Sequence, residues 1–184
     1  MTTKLEAINI MLSCVGQAPL NSLEGTKSYF TVSAENTLDA EVKRIQLEGW
    51  YFNTEKFYVL QPDINNIIKI PDDLIEIKCS RFRYVVRKKK VYDTWRHTFE
   101  IENPITVEAV FRLNFEDLPE VAQTYAYMSA AYKFVKREFG ADKTCIYTQE
   151  DLAEAKQLMI QHELEIANYT MIPDYRNGNI KGEL

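Results

Sequence analysis

Residues 117–140, DLPEVAQTYAYMSAAYKFVKREFG, and residues 148–168, TQEDLAEAKQLMIQHELEIAN, decide the fold. In the first stretch Val121, Tyr125, Met128, Tyr132, Val135 and Phe139 recur at alternating steps of four and three, a continuous apolar seam on a helix. Asp117 is the expected cap, Pro119 suits the first turn, and Glu120 is the expected third member of a capping box. Ala122, Ala126 and Ala130 form a small-residue row beside the seam, where a second backbone can approach closely. Gly140 ends the helix as a glycine just past a C-terminus does. Thr148 and Asp151 start a second helix, whose seam is Leu152, Ala155, Met159, His162, Ile166 and Tyr169. The pair reads as a helical hairpin packed on the rest of a core.

Outward toward the N-terminus, Thr3-Lys4-Leu5-Glu6 is a capping-box pattern. Leu5, Ile8, Leu12 and Val15 follow at helical spacing, and Gly16 closes that helix. Residues 17–25 form a loop bracketed by Pro and Gly. Ser33 is the expected cap of a second helix. Its apolar edge is Leu38, Val42 and Ile45, its wet face is Glu35, Asp39, Glu41, Lys43, Arg44 and Glu48, and Gly49 stops it. From Trp50 the period changes to two. Trp50–Leu60, Ile67–Ile70, Leu74–Ile77 and Phe82–Val86 are strand candidates, with a break at Gln61-Pro62-Asp63. Arg87-Lys88-Lys89 is the expected tip of a hairpin returning through Val91 and Tyr92. Ile105, Val107, Ala109 and Phe111 alternate with Thr106, Glu108, Val110 and Arg112, a strand with one buried face.

The expected architecture is therefore α+β: an antiparallel helical bundle of about four helices, with an inserted, mostly antiparallel β-sheet region and a C-terminal arm. Residues 1–49 give an N-terminal helical pair, 50–115 the insertion, 116–172 the hairpin that completes the bundle, and 173–184 the arm. The arm is turn-rich, and its Tyr175 and Arg176 suit docking to a partner.

At 184 residues, 46% hydrophobic and 27% charged, the chain has the make-up of a globular domain. Its net charge of -5 argues against a broad nucleic-acid-binding face. No secretory signal or membrane-spanning run is evident. Cys14, Cys79 and Cys145 are far apart and suit buried, reduced thiols.

Little points to catalysis. The Cys and His residues lack metal-ligand spacing, and with only 6 glycines there is no Gly-rich phosphate loop, so no cofactor is expected. His162, lying in the seam, reads as a core or interface histidine. Glu100 and Glu102, on one face of a strand, would be the acid and base of a small glycan hydrolase, but solvated pairs of this kind are common. A basic cluster of Arg81, Arg83, Arg87, Lys88, Lys89, Lys90 and Arg96, interleaved with Tyr84, Tyr92 and Trp95, is either a docking surface for an acidic protein or nucleic acid, or a solvated hairpin tip. A nucleic-acid-binding regulator is the second alternative. Ile160, Leu164 and Ala167 make a second apolar edge on the last helix, suited to a neighbouring subunit.

Several stretches in order resemble one family: 12–19 LSCVGQAP with 22–25 SLEG, 49–53 GWYFN with 60–63 LQPD, 84–87 YVVR with 91–93 VYD, then 105–107 ITV, 118–120 LPE and 139–141 FGA. Together they resemble tail tubular protein A, the head-to-tail adaptor family of short-tailed phages (podoviruses), over about Leu5 to Ile172. The resemblance implies a non-enzymatic virion protein assembled in the host cytoplasm into a twelve-fold homo-oligomeric ring. The portal protein would lie above the ring, a tail nozzle protein below, and tail fibres near that lower junction. DNA would pass through the pore without sequence-specific binding. The hairpin tip departs from the family's glycine-bearing turn, being Arg87-Lys88-Lys89-Lys90 here.

Overall fold

A computed structural model describes residues 1–79, 83–140 and 145–171, the side chains of 167–171 excepted. In order the elements are α1 (Lys4–Ser13), α2 (Tyr29–Gln46), β1 (Thr54–Leu60), β2 (Leu74–Lys78), β3 (Tyr84–Arg87), β4 (Lys90–Asp93), β5 (Ile105–Phe111), a 3-10 turn (Phe115–Asp117), α3 (Glu120–Phe139) and α4 (Gln149–Met171). The chain is mixed α+β.

Local chemistry starts and stops the helices. At α1 the Thr3 side chain accepts from the Glu6 N–H, and the Glu6 carboxylate accepts from the Thr3 N–H. At α4, Thr148 and Asp151 exchange the same two bonds, at 3.2 and 2.7 Å. Two expected starts are corrected. Ser28, not Ser33, caps α2, because the Ser33 hydroxyl is committed to Glu138 across the core. Pro119 heads α3 with no side-chain cap, because Asp117 is used up in the preceding 3-10 turn. Glu120 forms no capping box and instead pairs with the Met1 amine at 2.9 Å.

The helices share one core, which α1 enters with Ile8, Met11 and Leu12, α2 with Ala34, Leu38 and Ile45, and α4 with Ala155 and Met159. On α3 the deepest face is the alanine row with Phe134 and Val135, while Val121, Met128 and Tyr132 are half-buried and Phe139 is exposed. The small side chains let α2 and α3 approach, so that of the expected seam Tyr125 and Val135 are buried and the rest lies toward the flank. Burying each large side chain such as Phe134 contributes about 1.5–3 kcal/mol.

A second core, including Leu60, Ile68, Ile77, Val91, Ile105 and Val107, holds the β region. One sheet has the order β1-β5-β2, all antiparallel, and β3 and β4 form a separate antiparallel pair. β5 alternates as expected until Val110, which is buried on the opposite side from its neighbour Ala109. Trp50–Phe52 turn rather than extend, and Ile67–Ile70 makes only isolated bridges instead of a strand.

Two side chains fasten the β region to the helices. The Gln46 carboxamide donates to the Leu113 carbonyl and accepts from its N–H, at 3.0 and 2.6 Å. Asn53 accepts from the Trp50 N–H and donates to the carbonyls of Gln46 and Phe111, at 2.9, 3.0 and 2.9 Å. Gly49 lies between them at φ +76°, where an added Cβ would sit 2.5 Å from Lys78 Nζ.

Glu41, expected on the wet face of α2, is buried between α2 and α3. Its carboxylate accepts from Ser129 Oγ, Arg44 Nε and Lys133 Nζ. Burial pushes its pKa up, but the bonds from Lys133, Ser129 and Arg44 outweigh that and hold it below the usual 4.5. A carboxylate with a depressed native pKa stabilises the fold fully above its unfolded pKa, and that contribution is lost as pH falls through the native value. Glu41→Gln should therefore cost about 1–2 kcal/mol at neutral pH, less than a fully buried pair because Lys133 and Arg44 reach water. It should also flatten the loss of stability below about pH 4.5. Urea unfolding at neutral pH and near pH 3.5 checks both, and an unchanged acid slope would refute the assignment.

Candidate functional site

The hairpin expected at residues 84–92 is β3–β4. Its two-residue turn is Lys88-Lys89, both at positive φ (52° and 56°), the left-handed pair that a two-residue hairpin turn requires and glycine usually supplies. Arg87, Lys88 and Lys89 are exposed and Lys90 is half-buried. Arg87 lies over the Tyr92 ring at 4.1 Å, and Lys89 pairs with the exposed Asp72. At the hairpin base the guanidinium of Arg83 sits near Tyr84 and Trp95, at 4.9 and 5.4 Å to the ring centres, and is bound by Asp93 at 2.9 and 3.0 Å. Asp93 is buried, which raises its pKa, but the Arg83 bond and the N–H groups of Arg96 and Trp95 bring it below the carboxylate norm. Arg83 is thus structural, and Arg87, Lys88 and Lys90 have no carboxylate bound among the described residues. Arg81 lies outside the described residues.

The second surface is the outer side of α4. Ile160 and Leu164 are 41% and 58% exposed on one side, and Leu158, 51% exposed, lies on the opposite flank of the helix. Gln157 and Gln161 lie between them, and Glu150, Glu154 and Glu165 form an exposed acidic rim. The inner side of α4 is fixed by Ala155 and Met159. A second tie holds its far half, where the Glu163 carboxylate accepts the Tyr51 N–H at 3.0 Å and His162 Nδ1 lies 3.3 Å from the Tyr51 hydroxyl. Ile160 is therefore presented on a helix tied down both before and after it, at Ala155 and Met159 and at His162 and Glu163. The Ala167 side chain, and Tyr175 and Arg176 of the arm, lie outside the described residues.

The Glu100–Glu102 pair is corrected. Glu100 makes only an isolated bridge to Ile67, and 101–102 are not strand. Both carboxylates are exposed on the rim of a polar cleft with Arg83 and Arg96. That arrangement is a solvated charge cluster and lacks the enclosure that positions an acid and a base. No helix of the described residues is long and apolar enough to cross a membrane.

Sequence reasoning missed three exposed apolar residues on the β region. Phe57 is 82% exposed at φ +60°, at the point where the β1–β5 register slips. Val59 and Ile64 are exposed nearby in sequence. Phe57 sits in an aromatic run that reads as ordinary strand, so no local signal marks it.

The model of one family, described as tail tubular protein, matches residues 5–169. The chain is also similar to tail tubular protein A of Klebsiella phage KP34, with 23% identity over 163 residues that cover 88% of this chain and 87% of that protein.

Proposed function

This chain belongs to the tail tubular protein family, and from that premise we propose that it is the adaptor ring between the portal and the tail nozzle of a short-tailed phage. That it is a structural component of a phage tail, and so of the virion among other virion proteins, follows from the family. The ring, its twelve copies, the portal above, the nozzle and fibres below and the passage of DNA through the pore are our reading. The observation that carries it is the apolar stripe of Ile160 and Leu164, exposed on a helix whose opposite side is already packed. One such stripe meeting a different patch on the next copy makes a head-to-tail contact that closes into a ring. The net charge of -5 supports passage of DNA, since a wall that neutralised phosphates would grip it. We take residues 50–115 as an insertion in a helical body made by 1–49 and 116–172.

Light scattering of the purified chain, alone and with its portal, tests the ring; a monomer under both conditions would overturn it. Within the ring we assign the tip residues Arg87, Lys88, Lys89 and Lys90 to docking of the nozzle or a fibre, and Tyr175 and Arg176 to the portal. Replacing all four tip residues with Ser should leave folding and portal attachment near normal and weaken distal tail attachment by about tenfold or more, since screened rim charges each carry modest energy. Complete tails together with a lost affinity for duplex DNA would instead place the hairpin at the pore. A chain ending at Ile172 should fold normally and bind portal more weakly; unchanged affinity would remove the arm from that role.

A further inference from the structure

Two strand ends face each other without pairing. β2 is the last strand of the sheet β1-β5-β2, and β3 is the outer strand of the β3–β4 pair. Between them lies a cavity of about 290 Å³ lined by Ile75, Glu76, Ile77, Lys78, Cys79, Tyr84, Val85 and Val86. That is the space of about ten waters, enough for a short stretch of chain. One end is closed by Cys79, whose sulfur accepts the Tyr84 N–H at 3.2 Å and donates to the Tyr84 carbonyl at 3.4 Å.

The register shows which backbone groups face this slot. A two-residue turn makes Arg87 and Lys90 the hydrogen-bonded pair, so Val86 and Val91 form a non-bonded pair whose N–H and C=O groups point outward. The rest of the hairpin agrees. Val91 bonds outward to the Ile68 carbonyl, and Tyr84, two residues before Val86, bonds outward to Cys79. Val86 therefore directs its N–H and C=O at the slot, and no described strand receives them. Its side chain is 40% exposed.

We propose that the slot between β2 and β3 takes an extended, acidic segment of a distal tail protein, which adds as a strand to the free edge of β3. The proposal rests on the hairpin's docking role and names its partner chemistry. An open strand edge recognises an extended backbone through its unpaired N–H and C=O groups. The neighbouring charge selects the side chains. Arg87, Lys88 and Lys90 are without bound carboxylates among the described residues, Lys78 is engaged by the Glu48 carbonyl and Glu108, and Glu76 is the acidic residue in the lining. Lysines at an edge repel stray strands that lack compensating charge. The same lysines attract a strand carrying Asp and Glu, so attraction and rejection come from one set of residues.

The test uses the isolated chain and tails purified from phage particles. Hydrogen exchange over residues 84–91 should be fast at Val86 in the isolated chain and slowed about 100-fold in tails, as for an amide taken into a strand ladder. Val86→Pro removes the outward N–H and leaves the β3–β4 bonds and every charge in place; it should abolish distal attachment while the chain still assembles on portal. Val86→Cys carrying a photoreactive group should label, in tails, a stretch rich in Asp and Glu. Protection of Val86 already in the isolated chain, or labelling of this chain's own β2, would mean that the two edges close on each other and would overturn the proposal. If the Ser replacements at the tip release the distal proteins while Val86 stays unprotected in tails, strand addition is wrong and hairpin docking survives. If the Ser replacements change nothing, both fall. The exchange measurement on the unaltered protein decides the matter even if the proline variant folds poorly.

Discussion

Leu164→Glu leaves the isolated chain folded and blocks its assembly into rings. Leu164 is 58% exposed in the single chain, so a charge there remains hydrated and stability should move by less than about 0.5 kcal/mol. In the contact between copies that we propose, the same position would be dry. Removing an unpaired carboxylate from water costs about 3–5 kcal/mol in a relaxed protein environment, which is about a hundred- to a few-thousand-fold in the affinity of one copy for the next. Leu164→Ala should be milder, because it removes contact area without adding a charge. Light scattering on the variant with portal, beside a thermal melt of the variant alone, separates the two effects. A folded L164E chain that still forms complete rings on portal would remove α4's outer edge from the subunit contact.

The outer face of α4 was legible because helical periodicity sorts residues by angle. Ala155 and Met159 fall on the buried side and Ile160 and Leu164 on the open one, as the spacing requires. On α3 the same reasoning placed the seam on its larger residues, yet the deepest face is Ala122, Ala126 and Ala130. Burial there depends on how near α2 comes, and only the packed structure fixes that distance.

Two of the errors, at Ser33 and Glu41, share one physical origin, side chains whose partners are far away in sequence. Ser33 looks like a cap and Glu41 like a solvated acid because local pattern is all that a window contains. Their partners are Glu138 for Ser33, and Ser129 and Lys133 for Glu41, about ninety or more residues away. A buried polar group is tolerated when it is bonded, and nothing in α2 shows that a donor will arrive from α3. The hairpin is the converse case. Its basic tip was legible as composition and place, while the positive φ of Lys88 and Lys89 follows from the register of β3 on β4, which a run of three lysines does not disclose. The slot beside it was illegible for the same reason, since a free strand edge is known only after every other pairing has been assigned.

Asn53→Ala gives a large expected loss of stability at the joint between the two cores. Asn53 is 3% exposed and its side chain makes three bonds, from the Trp50 N–H and to the carbonyls of Gln46 and Phe111. Its own carbonyl accepts the Phe111 N–H at 2.8 Å. Asn53→Ala keeps that backbone bond and strands the Trp50 N–H and the Phe111 carbonyl in a dry turn, while the Gln46 carbonyl keeps only the Gly49 N–H. Each orphaned buried group costs about 1–3 kcal/mol, and partial relaxation toward water brings the total to about 2–4 kcal/mol. The position also sets what the loss does. Asn53 and Gln46 fasten the two chain crossings between the helical core and the β core, and Gln46 alone would still grip Leu113. Unfolding should therefore lose its coincidence. Exchange in β1 and β5 should quicken more than in α2 and α3, and the melt of the β region should separate from that of the helices. Asn53→Asp retains the acceptor toward Trp50 but sets a charge against two carbonyls, so it should be no better than alanine. A thermal melt followed by hydrogen exchange on the alanine variant checks both expectations. A change below about 1 kcal/mol, with β1 and α3 exchanging in the original proportion, would show that the joint is held by the packing of Trp50 and Phe111 instead.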